Sequence, residues 1–139
     1  MTKDIIFVCG VHGVGKSSFI ASYKSFEAYK IHSCSKLIRD YSGLEFEKKI
    51  VSSVGNNQEI LLNAVDFFVK DDLVVLDGHI TLYNKQQIVE AIDMNIYHRL
   101  GVKHFILLKA EPEIIYDRIV GRDGDTWLTI NLISEAQKI

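Results

Sequence analysis

The stretch Gly10-Val11-His12-Gly13-Val14-Gly15-Lys16-Ser17 determines how the rest of the chain is interpreted. Its spacing matches G-x-x-x-x-G-K-[ST], in which the backbone N–H groups of a glycine-rich loop surround phosphate groups. Lys16 is expected to reach the β- and γ-phosphates of a nucleotide, and Ser17 to place its hydroxyl on Mg²⁺. The residues expected to hold the nucleotide are Gly10, His12, Gly13, Val14, Gly15, Lys16, Ser17 and Ser18.

The sequence on either side of this loop has the pattern that a phosphate-binding loop requires. Residues 5–9 form a short apolar run, which is typical of a strand covered on both faces. Residues 18–26 carry apolar side chains at helical spacing. Because a strand precedes the motif and a helix follows it, we interpret it as a phosphate site rather than a chance glycine-rich turn.

Length and composition set the broad class of the protein. The chain has 139 residues, 47% of them hydrophobic, and a net charge of −2, which predicts one globular domain over 1–139. This charge disfavours a bulk nucleic-acid surface, and no apolar run is long enough to span a membrane or act as a signal peptide. The two cysteines are expected in the first strand (Cys9) and in a polar loop (Cys34), with no metal or redox spacing, so a reducing cytoplasmic setting is expected.

Strands alternate with helices along the remaining chain. Short strands are predicted at 28–32, 73–77 and 104–108. Helices are predicted from 36, over 44–54 with Gly55 at the end, over 58–70, over 84–100 with Gly101 at the end, over 112–120, and after a loop at 121–125 with Thr126 as the cap. This order predicts an α/β fold, with a parallel sheet between two layers of helices and a ligand at the carboxyl ends of the strands.

Four stretches together resemble the adenylate kinase-like nucleoside monophosphate kinases of the P-loop superfamily. They are the loop at 10–17, the Ser33-Cys34-Ser35-Lys36-Leu37-Ile38-Arg39 turn and helix, Leu76-Asp77-Gly78-His79, and Asp117-Arg118-Ile119-Val120-Gly121-Arg122. The resemblance covers residues 4 to about 122. It implies a three-layer P-loop fold, with an acceptor-binding helical insert at 33–70 and a short lid at 121–126.

The resemblance also implies roles for individual residues. Ser35, Arg39, Gly78 and His79 would contact the acceptor, and Gln58 would read the edge of an acceptor base. Asp77 would hold the Mg²⁺ shell together with Ser17, while Arg118 and Arg122 would neutralise the phosphate chain. Lys16, Asp77, Arg118 and Arg122 are therefore the expected catalytic residues.

Each assignment has a plainer alternative. Asp77 could simply cap a turn at the end of a strand, Arg39 could pair with Asp40, and Arg118 could pair with a neighbouring acid. A hydrogen bond at a helix end explains Gln58 equally well. His12 and His79 could touch the transferring group, although the variable positions of the loop tolerate many residues.

Two departures from the family pattern concern the acceptor side and the end of the sheet. His79 replaces a common aromatic residue, and no Pro-Arg pair follows it, which removes one expected phosphate-binding arginine. The family adds a further strand after this point, so about four strands in the order 2-3-1-4 are expected, with the last strand missing. Either the protein extends beyond Ile139, or a second copy covers the open edge in a homodimer.

The sequence therefore predicts an enzyme that uses ATP and Mg²⁺ to phosphorylate a small acceptor, and the favoured acceptor is a nucleoside monophosphate. One alternative is a P-loop ATPase or nucleotide switch that acts on a partner. Another is a degenerate nucleotide-binding domain without turnover.

Overall fold

The computed structural model describes residues 3–47, 57–79, 81–83 and 86–138. Its strands are β1 (Asp4–Cys9), β2 (Lys30–Ser33), β3 (Leu73–Gly78), β4 (Thr81–Tyr83), β5 (Val89–Ala91) and β6 (Val102–Leu107). Its helices are α1 (Lys16–Ser22), α2 (Cys34–Glu47), α3 (Asn57–Phe68), α4 (Met94–Leu100), α5 (Pro112–Asp123) and α6 (Ile130–Ala136), with a 3₁₀ turn at Lys24–Phe26.

A four-stranded parallel sheet, in the order β2-β3-β1-β6, forms the centre of the fold. Counted over the parallel strands alone, this is the predicted order 2-3-1-4, which is confirmed. The central pair aligns Asp4 with Leu73 at one end and Cys9 with Gly78 at the other. Because the strands are parallel, β1 and β3 deliver the phosphate-loop sequence and Asp77 to the same edge of the sheet.

Helices cover both faces of the sheet, because its central strands bury alternate side chains on opposite sides. Ile5, Phe7 and Cys9 of β1 pack against α2, α3 and α4. Val8 packs on the opposite face against Ile20 of α1. A separate buried cluster joins the phosphate loop to α5 and α6. The predicted three-layer arrangement is therefore confirmed.

Local sequence features explain where α4 ends and where α5 and α6 begin. The start of α6 differs from the predicted position. Pro112 stands in the first turn of α5, where a missing N–H costs no hydrogen bond, and Gly101 ends α4 as predicted. The last helix was expected to start from Thr126, which is wrong. The Oγ1 of Thr129 accepts the Leu132 N–H at 3.1 Å, and α6 begins at Ile130.

The predicted helix over 84–100 is the largest error of the sequence analysis. Residues 94–100 are helical, but β4 and β5 form an antiparallel hairpin before them. The Asp93 carboxylate accepts the Asn95 N–H at 2.9 Å and so caps the helix at that point. The hairpin also packs on α6, where the Oγ1 of Thr81 donates to the carbonyl of Ala136 at 2.9 Å. Ile88, an apolar residue that the predicted helix would turn toward the core, is exposed.

Smaller differences concern the ends of elements. The second strand lies at Lys30–Ser33 rather than 28–32, and α5 continues through Asp123, so the predicted loop at 121–125 is helical in its first part. Cys34 is not in a polar loop: it is buried at the start of α2. Both cysteines are free. Most of the predicted helix over 44–54, and Gly55, lie outside the described residues.

Candidate active site

The phosphate loop lies between β1 and α1 and is anchored by two buried valines. Val11 and Val14 pack against Ile115 and Ile119 of α5, and the Val14 N–H donates to the Val11 carbonyl at 3.1 Å. Gly15 has a φ of 104°, a left-handed conformation that a larger side chain would strain. The apolar residues thus hold the loop while its polar positions face solvent.

A cavity of about 800 Å³ opens at the carboxyl edge of the sheet beside this loop. Nearly all of its lining had been predicted to belong to the site. The predicted lining residues are His12, Gly13, Val14, Gly15, Lys16, Ser17, Ser18, Ser35, Asp77, Gly78, His79, Arg118 and Arg122. Ser33, at the end of β2, also lines the cavity and was missed as a site residue, although it lies within the quoted turn. Gly10 is buried beneath the loop.

Lys16 and Asp77 both line this cavity, and the charge of each shifts the pKa of the other. Burial lowers the pKa of the Lys16 ammonium, which the Asp77 carboxylate partly offsets. Burial raises the pKa of Asp77, and Lys16 acts in the opposite direction. The Nζ of Lys16 donates to the Gly10 carbonyl at 2.9 Å. A phosphate that enters the loop would therefore compete with a backbone carbonyl for this cation.

The two arginines of α5 point toward the loop, but they have different partners. The Nη1 of Arg118 donates to the carbonyls of Gly13 and Val14 at 3.2 and 3.1 Å. Its described hydrogen bonds thus go to the loop rather than to an acid. Arg122 donates from Nε to the Asp123 carboxylate at 3.2 Å, and its Nη2 contacts the Nε2 of His12. Both arginines line the cavity beside the loop.

His12 takes part in the contact between the loop and the end of α5. Its Nε2 lies 3.9 Å from the Asp123 carboxylate. Burial lowers the pKa of His12, followed by the charge of Arg122, while Asp123 opposes them. The imidazole is therefore held toward its neutral form, in which it can accept the Arg122 N–H.

The hydroxyl of Ser17 and the carboxylate of Asp77 were predicted as Mg²⁺ ligands, and both line the cavity. Hard oxygen donors of this kind suit Mg²⁺, which completes its shell with phosphate oxygens and water. The described residues contain no group of three or more His, Cys, Asp or Glu side chains that could hold a metal unaided. The Ser17 hydroxyl and the Asp77 carboxylate fit Mg²⁺ as two ligands of its shell.

A second cavity, of about 170 Å³, adjoins the first. Its lining is mostly apolar, and it shares Ser35 and His79 with the larger cavity. The lining residues are Phe7, Cys34, Ser35, Ile38, Gln58, Leu61, His79, Ile92, Ile96 and Tyr97. Burial raises the pKa of the Cys34 thiol to about 12, so this wall stays uncharged at neutral pH.

His79 forms part of the wall between the two cavities. Burial, followed by the charge of Lys16, lowers its pKa to about 4, so the ring is neutral at pH 7. Its Nδ1 lies 3.2 Å from the Gly10 carbonyl oxygen. Because a carbonyl oxygen can only accept, Nδ1 carries the proton and Nε2 is the unprotonated nitrogen.

The remaining predicted acceptor residues separate into two groups. Gln58, at the start of α3, lines the apolar cavity, and its contact with an acceptor base stays a prediction. Arg39 lies on the exposed side of α2 and lines neither cavity, so its phosphate-binding role stays a prediction. The sequence analysis also missed Phe7 and Tyr97. Neither follows a motif, because their positions depend on how distant elements pack.

Comparisons with known proteins agree with this architecture. Residues 9–130 match the protein family described as AAA domain. No curated protein matches the sequence. In the part of the chain that the structure describes, no helix has both the length and the apolar character that crossing a membrane requires.

Solved structures share the fold at low sequence identity. A gluconokinase from Sinorhizobium meliloti 1021 is 16% identical, with a TM-score of 0.52, over 96% of this chain and 72% of that one. The tunicamycin resistance protein of Deinococcus radiodurans is 16% identical, with a TM-score of 0.58, over 97% and 78%. A shikimate kinase from Bacteroides thetaiotaomicron is 14% identical, with a TM-score of 0.54, over 95% and 74%. At this level, the similarity establishes a P-loop kinase-like fold and leaves the substrate open.

Proposed function

The chain belongs to the AAA domain family, and from that premise we propose that it is an ATP- and Mg²⁺-dependent phosphotransferase. It would transfer the γ-phosphoryl group of ATP to a small acceptor, and the favoured acceptor is a nucleoside monophosphate. One observation carries this proposal: Ser35 and His79 line both the phosphate-loop cavity and the apolar cavity. Adjacent cavities with a common wall suit direct transfer between two bound substrates.

Catalysis in this site would consist of positioning and charge neutralisation. Lys16 would leave the Gly10 carbonyl for the β- and γ-phosphates, and Arg118 and Arg122 would neutralise charge along the chain. Ser17 and Asp77 would hold Mg²⁺, which when bound screens the phosphate oxygens. The acceptor oxygen attacks the γ-phosphorus, the bond to the β–γ bridging oxygen breaks, and ADP leaves without a covalent enzyme intermediate.

The acceptor side supports a second candidate, a P-loop ATPase or nucleotide switch. The described lining of the apolar cavity contains no arginine or lysine, and Arg39 lies outside both cavities. A phosphate-bearing acceptor bound in the apolar cavity needs a cation beside its own phosphate group. Hydrolysis of ATP by water requires no such cation for an acceptor. A third candidate is a domain that binds nucleotide without turnover.

A coupled assay that measures the release of ADP distinguishes these candidates. ATP and Mg²⁺ are supplied alone, then with AMP, with other nucleoside monophosphates and with non-nucleotide alcohols. Acceptor-dependent release supports the phosphotransferase, and equal release without an acceptor supports the ATPase. Nucleotide binding by calorimetry without any release supports the domain that does not turn over.

The homodimer and the cytoplasmic setting expected from the sequence are also proposals. The outer edge of β6 is unpaired in the described sheet, so a homodimer through this edge stays a prediction. Sedimentation equilibrium tests it directly. The cytoplasmic setting, expected because the two cysteines have no metal or redox spacing, likewise stays a prediction; both thiols are free.

A further inference from the structure

Tyr97 is a buried residue with no role in the phosphoryl transfer mechanism proposed above. Its side chain is only 2% exposed, in the middle of α4. The ring packs edge-to-face on Phe7, with 5.0 Å between ring centroids, and on Phe105, with 5.3 Å. A phenol in such surroundings needs a hydrogen-bond partner for its hydroxyl. The identity of that partner links Tyr97 to the site.

The Tyr97 hydroxyl donates to the backbone carbonyl of His79 at 2.9 Å. Burial raises the pKa of this phenol, so the hydroxyl keeps its proton and acts as a donor. His79 is the first residue after β3 and follows Gly78 directly. The bond therefore fixes the peptide by which the chain leaves the central strand.

The His79 ring extends the connection to the phosphate loop. Its Nδ1 donates to the Gly10 carbonyl at 3.2 Å, and the same carbonyl accepts from the Nζ of Lys16 at 2.9 Å. Two hydrogen bonds thus join Tyr97 to the carbonyl that holds the phosphate-binding lysine. The charged or titratable side chains that act on the ring are Lys16 and His12.

Packing around Gly78 leaves the chain little freedom to follow another path. A Cβ added at Gly78 would lie 2.6 Å from the Cζ of Phe7 and 3.0 Å from the Sγ of Cys34. The exit from β3 is therefore held by close packing at Gly78 and by hydrogen bonds at both the backbone and the ring of His79.

We propose that Tyr97 is a positioning residue for phosphoryl transfer, which acts by fixing the His79 peptide so that the imidazole stays on the wall shared by the two cavities. The proposal rests on the phosphotransferase function proposed above. With Nδ1 on Gly10, the unprotonated Nε2 is a hydrogen-bond acceptor for a substrate N–H or O–H. Without the Tyr97 hydroxyl, the peptide can rotate and the ring exchanges between tautomers.

Tyr97→Phe tests this inference, because it removes the hydroxyl and keeps the ring between Phe7 and Phe105. The matched control is Tyr41→Phe, since the Tyr41 ring packs on Phe67 and Phe68 and lines neither cavity. The measurements are ¹⁵N NMR of the histidine rings, with His79 assigned from a His79→Gln sample, and steady-state kinetics with the acceptor identified by ADP release.

We expect one Nδ1–H tautomer at His79 in the wild type and in Tyr41→Phe, and a mixture of tautomers in Tyr97→Phe. The kcat of Tyr97→Phe should fall about 10-fold, with little change in the KM for ATP, as expected for the loss of one orienting hydrogen bond. A wild-type ring protonated at Nε2 overturns the proposal, whether or not the variant folds. So does a Tyr97→Phe protein with wild-type NMR signals or wild-type kcat.

The NMR measurement needs no turnover, so it separates this inference from the proposed function. If the wild type transfers no phosphoryl group to any acceptor, the proposed function fails and the positioning role in catalysis falls with it. A tautomer change that accompanies normal wild-type turnover but leaves kcat unaffected contradicts the positioning role alone.

Discussion

Two cations of the phosphate site, Lys16 and Arg118, donate to backbone carbonyls of the loop itself. Lys16 donates to Gly10, and Arg118 donates to Gly13 and Val14. A bound triphosphate offers charged oxygens to the same donors, and charge-assisted hydrogen bonds are roughly twice as strong as those to neutral carbonyls. Each cation can therefore move to the nucleotide without being drawn away from a carboxylate.

Arg118→Ala should lower kcat/KM by about 100-fold or more, because it removes a cation from the charge that develops during transfer. The matched control is Arg99→Ala, whose guanidinium makes a bidentate ion pair with Glu59 on an exposed surface, at 2.6 and 3.2 Å. Such exposed pairs contribute little to stability. Steady-state kinetics on both variants checks the prediction, and equal losses in the two would contradict it.

The lowered pKa of His79 makes the stability of the folded protein depend on pH. Its pKa is about 4 in the folded protein, against 6.5 for an unperturbed histidine. Between these values the unfolded chain binds more protons, so stability falls as the pH falls through this window. The loss attributable to His79 between pH 7 and pH 4.5 is about 2 kcal/mol.

Urea unfolding of the wild type and of His79→Gln at both pH values measures this loss. Glutamine does not titrate and can still donate to the Gly10 carbonyl. The wild type should lose about 2 kcal/mol more than the variant on acidification. The same change in both proteins would mean that His79 is not held in its neutral form.

At the scale of secondary structure, the exit from β3 is the most constrained point of the site. Gly78→Ala would place a methyl group against Phe7 and Cys34, at distances that force one of them to move. Overpacking of this kind costs about 1–3 kcal/mol and would displace Asp77 and His79 on either side. We therefore expect both stability and kcat to fall.

Gly121→Ala is the control for this substitution. Gly121 lies within α5, and an added Cβ would meet nothing within 4 Å. Alanine in a helix is favoured over glycine by about 0.5–1 kcal/mol, so this variant should be more stable than the wild type. Thermal unfolding compares the pair, and a Gly78→Ala protein as stable as the wild type would refute the close packing.

The sequence analysis succeeded where one local motif determines one element. The glycine-rich loop and the Asp77 strand end follow from short patterns whose physical requirements are local. The helix expected over 84–100 failed because apolar residues at 88, 91, 92 and 96 also fit a hairpin followed by a short helix. Contacts from Thr81 and Val89 to the α6 region, far along the chain, favour the hairpin.

The contrast between local motifs and contacts of distant elements also explains which residues of the candidate site could be predicted. The residues around the phosphates could be predicted, because most of them come from two short motifs. The apolar cavity could not, because Phe7 of β1, Leu61 of α3 and Tyr97 of α4 meet only through tertiary packing. Arg39 carried a motif-based expectation, yet it lies on the exposed side of its helix.

On the scale of the whole molecule, the parallel sheet brings the residues that line the two cavities to one edge. The phosphate loop follows β1, Asp77 lies in β3 with His79 directly after it, and Ser35 lies in the first turn of α2 after β2. α5 adds Arg118 and Arg122 to the lining of the larger cavity. The fold thus places a large polar cavity beside a small apolar one. We propose that phosphoryl transfer takes place between the two.

Isotope transfer tests that claim most directly. ATP labelled with ¹⁸O in its γ-phosphoryl group is incubated with Mg²⁺, the protein and a mixture of nucleoside monophosphates, and the products are analysed by mass spectrometry. Lys16→Ala serves as the inactive variant, and Lys24→Ala, on the 3₁₀ turn outside the cavity, as its control. We predict that the label enters a nucleoside diphosphate with the wild type and Lys24→Ala, and falls at least about 100-fold with Lys16→Ala. Label found only in inorganic phosphate, or transfer unaffected by Lys16→Ala, would contradict the account.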